Sequence, residues 1–111
     1  MKKMILTLGL IIAICGPAYS EDFCETLGEA AESIMEARQN EAPMGKILKI
    51  MTNGLGPQTG ADLMNNMVIA AYEHPAYYSK DMQRKSIARF KNKILLECYK
   101  AKIDSERAAR D

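Results

Sequence analysis

A chain of 111 residues, 48% hydrophobic and 26% charged with a formal net charge of +1, has room for one small globular domain and excludes a multidomain enzyme. Aromatic residues make up 6% and tryptophan is absent, while alanine, methionine and long charged side chains are frequent, which favours packed helices over a β-sandwich. The single histidine, His74, rules out multi-histidine metal centres, and nothing in the pattern supplies the partner that would activate it as a base.

Residues 1–20 read as a secretory signal peptide: Lys2 and Lys3 make a positive start, Met4 to Ile14 is an almost unbroken apolar run, and Gly16 and Pro17 break it. Ala18 and Ser20 are the small residues a signal peptidase requires, so the expected cut lies between Ser20 and Glu21. The apolar run is shorter than the roughly 20 residues a spanning helix needs, and no stable membrane insertion is expected after cleavage. Ile14 precedes Cys15, where lipid attachment would call for a small residue, so Cys15 is expected to leave with the leader.

Residues 21–111 are expected to form one helical domain, frayed over 105–111. From Glu21 to about Gln39, Phe23, Cys24, Leu27, Ala31, Ile34 and Met35 recur at steps of three and four, with glutamates between them. Acids in the first turns suit the positive end of the helix dipole, and Asn40 is the expected stop. Pro43 opens a second helix carrying Met44, Ile47, Leu48 and Met51 to a stop at Asn53 and Gly54. The run Gly54 to Gly60 holds three glycines and a proline and reads as a loop. A third helix follows, capped by Thr59 with Asp62 and continued by Leu63, Met64, Met67, Val68, Ala71 and Tyr72, until Pro75 ends it. Ser79 is the N-cap of the last and longest helix, on which Met82, Ile87, Phe90, Ile94, Leu95, Cys98 and Ala101 form the apolar stripe. The fold class is therefore all-α, a small four-helix domain.

Two cysteines lie beyond the leader, Cys24 and Cys98, each on an apolar stripe, and in an oxidising compartment they should be bonded. That bond makes the terminal helices antiparallel neighbours. Charge is segregated in the same way: Glu21 to Glu41 holds seven acids and one base, Lys80 to Arg110 ten bases and four acids, so the two ends are expected to attract each other. With the acidic segment as internal partner for the basic one, nucleic-acid binding is not expected.

Met64, Met67 and His74 could be drawn as a soft-metal site, but the methionines sit at helical core steps, and no metal or other cofactor is expected. The glutamates spaced four apart, Glu25 with Glu29 and Glu32 with Glu36, read as a solvated helix edge, leaving no catalytic residues. Tyr72, His74, Tyr77 and Tyr78 around Pro75 form the densest aromatic segment and the expected partner-binding surface, with the Gly54 to Gly60 loop as a second edge.

The pattern Cys24-Glu-x-x-Gly28, Ile34-Met35-x-x-Arg38-Gln39, Ala70-Ala71-Tyr72-x-x-Pro75 and Phe90 to Cys98 resembles a group of small exported two-cysteine helical proteins of proteobacteria and their prophages. The resemblance spans nearly all of residues 21–111 and implies export and two cysteines, without functional residues. A weaker likeness is to the periplasmic acid-stress chaperones, which share size, helical content and one disulfide but place their cysteines closer together. The functional expectation is a periplasmic, non-catalytic interaction protein, on the prophage resemblance one carried by a phage, that acts on an envelope protein or a host enzyme. The alternative is an acid- or envelope-stress chaperone.

Overall fold

The computed structural model describes residues 21–52 and 61–110; the expected leader 1–20, the expected loop from Gly54 to Gly60 and the expected stop at Asn53 and cap at Thr59 lie outside them. Four helices follow in order: α1 (Glu21–Gln39), α2 (Met44–Thr52), α3 (Ala61–Tyr72) and α4 (Lys80–Arg110). Helix α1 is the centre of the domain, giving the core Cys24, Leu27, Ala31, Ile34 and Met35. Helix α3 adds Met67, Val68 and Ala71, and α4 adds Phe90 and Cys98. Ile47, Leu48 and Met51 of α2 pack on this core from its edge. Side chains such as Ile34, Met35 and Val68, which are essentially closed to water, each contribute about 1.5–3 kcal/mol by leaving it. Met44 departs from the expected pattern: it stands 42% exposed at the start of α2 instead of joining the core.

Cys24 and Cys98 are bonded, with their Cα atoms 5.6 Å apart, which joins α1 to α4 as expected. The helices run antiparallel in a register read from four further contacts. Tyr99 donates to Glu25 at 2.9 Å, Leu95 lies over Gly28, Lys91 meets Glu32 at 3.3 Å, and Gln39 reaches Ser86 at 3.4 Å. Gly28 gives Leu95 its room at this crossing, because a Cβ there would stand 2.8 Å from Leu95 Cδ2 and push that side chain aside. The same register carries the 31-residue α4 past the start of α1, so its last turns extend beyond the disulfide.

The expected attraction between acidic α1 and basic α4 is realised at one place. Among the described residues Lys91 to Glu32 is the ion pair that joins the two helices; the others, Asp81 with Arg84 and Lys85, and Lys102 with Glu106, lie within α4. The seam is apolar, and most bases of α4 are carried away from α1 by the phase of the helix.

Among the described residues the starts of α2 and α4 follow the sequence signals, while the end of α1 departs from them by one residue. Ser79 caps α4, its Oγ accepting the Met82 N–H at 3.1 Å, and Pro43 precedes α2, its carbonyl accepting from Lys46 and Ile47. After α1, Ala42 N–H bonds the Ala37 carbonyl and Glu41 N–H the Arg38 carbonyl, the paired bonds of a Schellman ending. The left-handed residue is then Glu41, at φ 61°, rather than Asn40. A side chain there costs about 1 kcal/mol relative to glycine, so Glu41→Gly should raise the melting midpoint by a few degrees in a thermal scan. No gain would mean that another contact of Glu41 offsets the strain.

Candidate functional site

The end of α1 holds the turn between α3 and α4 by two consecutive residues. Gln39 is 4% exposed, and its amide is aimed at the backbone of that turn: Nε2 donates to the Pro75 carbonyl at 3.0 Å, and Oε1 accepts the Tyr77 N–H at 2.8 Å. This two-way match fixes the orientation of the amide. Nε2 also reaches Met35 Sδ at 3.5 Å, so every polar atom of the side chain is used. Arg38, one residue earlier, donates from Nε to the His74 carbonyl at 2.7 Å and lays its guanidinium 5.1 Å from the centre of the Tyr72 ring.

Gln83 of α4 completes the hold by donating to the Tyr77 carbonyl at 2.7 Å. A short connection whose backbone groups would otherwise need water is thereby tied to both α1 and α4. Tyr72 faces inward and donates to the Ala42 carbonyl at 2.6 Å, so the end of α3 is tied to the end of α1 as well. Burial pushes the Tyr72 phenol up, against a smaller downward pull from Arg38.

The turn separates the four residues of the expected surface into two roles. Tyr72 is half-buried and bonded within the fold, and Tyr77 is half-buried with both backbone polar groups engaged. His74 is exposed but packs its ring against Phe90, with centroids 5.8 Å apart and planes at 73°. Tyr78 is fully exposed. Between the turn and α4 lies an open cleft of about 210 Å³, lined by His74 and Tyr77 from the turn and by Met82, Ser86, Arg89, Phe90 and Lys93 from α4. Its chemistry is a mixed one, with an aromatic and thioether wall facing two cations that enter none of the ion pairs among the described residues.

Sequence reasoning found the aromatic turn but assigned no role to Arg38 and Gln39, and it did not bring Ser86, Arg89 and Lys93 to the same place. A signal for Gln39 was present: it stands four residues after Met35, a polar residue continuing an apolar stripe. Met67, by contrast, is a core residue, 3% exposed, and Met64 packs half-buried against that core. No protein-family description, curated protein or solved structure matches the chain.

Proposed function

We propose that the protein is a small exported, non-catalytic interaction protein that presents the turn from His74 to Tyr78, with its adjoining cleft, to a protein partner outside the cytoplasm. On the prophage resemblance, the gene is phage-borne and the partner an envelope protein or a host enzyme. The observation that carries the reading is a fully exposed Tyr78 on a turn whose backbone is held by a buried glutamine. A large aromatic side chain on a pre-ordered backbone offers contact area with little further entropy to lose on binding, the property of interface anchors. Export is supported by the Cys24–Cys98 bond, which belongs to an oxidising compartment, and by the leader read at residues 1–20.

A photo-crosslinking residue placed at position 78, and at the exposed Ser33 of α1 as control, tests this in living cells. A discrete product from position 78 and none from position 33 is expected. Equal products, or none from either, would reject the site. With the captured partner purified, Tyr78→Ala should weaken binding by roughly thirtyfold, the effect of losing about 2 kcal/mol at an aromatic anchor. The melting midpoint should not move, because Tyr78 touches nothing that its removal would expose.

A further inference from the structure

We infer that the outward face of α4 is a docking strip for an anionic phospholipid bilayer. Arg89, Lys93, Leu96, Lys100, Ile103 and Arg107 follow one another at alternating steps of four and three, which sets them on one face of a straight helix, and all are exposed. The buried Cys98 lies on the face opposite and Phe90 about a quarter-turn round, so the strip points away from the seam with α1. Over this stretch it is about 27 Å long, at about 1.5 Å per residue. No acid interrupts it; Glu97 and Asp104 lie along one margin.

Two observations select the occupant. The four cations take part in none of the ion pairs among the described residues, and the acids of α1 do not neutralise them, since Lys91 to Glu32 is where α1 and α4 meet in charge. Between them stand Leu96, 60% exposed, and Ile103, 48% exposed, aliphatic groups placed where they can enter the boundary below a layer of phosphates. The first turn of the strip, at Arg89 and Lys93, borders the cleft beside the turn, but from Leu96 onward it carries no aromatic side chain, which suits a broad anionic plane better than a protein pocket. No helix among the described residues is long and apolar enough to cross a membrane, so the association is peripheral.

The test is co-sedimentation of the exported, disulfide-bonded protein with vesicles of phosphatidylglycerol and phosphatidylethanolamine, and with vesicles of phosphatidylcholine alone. Binding to the first and not the second is expected, weakening as salt is raised. Lys100→Glu with Arg107→Glu, both outside the cleft, should reduce it by about tenfold, and the milder Lys100→Gln with Arg107→Gln should reduce it less. Leu96→Ser with Ile103→Ser should reduce it about threefold, from the apolar area lost. Because every altered side chain is exposed, an unchanged circular-dichroism melt is the condition for reading each variant. Failure of the wild type to sediment with anionic vesicles overturns the inference, as does equal binding of the charge-reversed variant or equal binding to phosphatidylcholine. Retention on immobilised polyglutamate without vesicle binding would overturn it in favour of an acidic protein. Tyr78→Ala should leave vesicle binding unchanged, which separates binding by this strip from the contact made by Tyr78.

Discussion

Breaking the Cys24–Cys98 bond is expected to lower the melting midpoint by roughly 20 °C or more, whether by reduction or by Cys24→Ser with Cys98→Ser. The bond spans 74 residues, and closing a loop of that length restricts the unfolded chain by about 4.5 kcal/mol on the chain-entropy estimate. Against a core of this size that is a large share of the total, since a small domain has only about 5–15 kcal/mol in all. The architecture adds to the effect, because α4 is held mainly by its seam with α1 and by the turn at its start. Differential scanning calorimetry of the oxidised protein with and without reductant measures it. A midpoint that stays in place would show that the apolar seam alone holds the terminal helices.

Removing the amide of Gln39 is expected to be the most damaging single change among the polar contacts that hold the turn. Gln39→Leu preserves size but leaves the Pro75 carbonyl and the Tyr77 N–H without their partners, at a cost of about 2–4 kcal/mol for the two together. Gln39→Glu separates the two halves of the interaction. A carboxylate can accept from the Tyr77 N–H but cannot donate to the Pro75 carbonyl, and it buries a charge. The folded state then favours the protonated acid, so its pKa is raised on folding. Stability is fully present below the unfolded value of about 4.3 and is lost as pH rises through the folded one. Melts of Gln39→Glu at pH 4 and pH 7 should therefore show the variant closer to wild type in acid. Equal destabilisation at both would mean that shape, rather than hydrogen bonding, is what Gln39 supplies.

The elements and the cross-link were legible because their causes are local or combinatorial. Steps of three and four with Pro43, Pro75 and Ser79 at the boundaries bound the helices, and two cysteines on apolar stripes admit a single pairing. What could not be read depends on where a face points after packing. The stripe through Met35 shows that position 39 is turned inward, but not that the backbone of a turn 36 residues away would meet its amide. Composition shows that the last helix is basic without showing that its neighbour covers the side with few bases. Glu41 escaped for a different reason: the left-handed site is set by how many residues the helix keeps before it unwinds, and asparagine, the better residue for it, sits one place too early.

Joining the first helix to the last also decides when the domain can exist. Helices α2 and α3 are neighbours in sequence and can pair as soon as both are made, whereas α1 has its principal companion only after α4 has been delivered. On the export route proposed above, the chain presents α1 early, with the Cys24 thiol still open and its apolar stripe without the α4 seam. Closure comes at the end and closes everything together. For a domain whose described elements are all helices that is an unusually non-local route, so its folding speed should follow the search of one chain end for the other more than the ease of forming any helix.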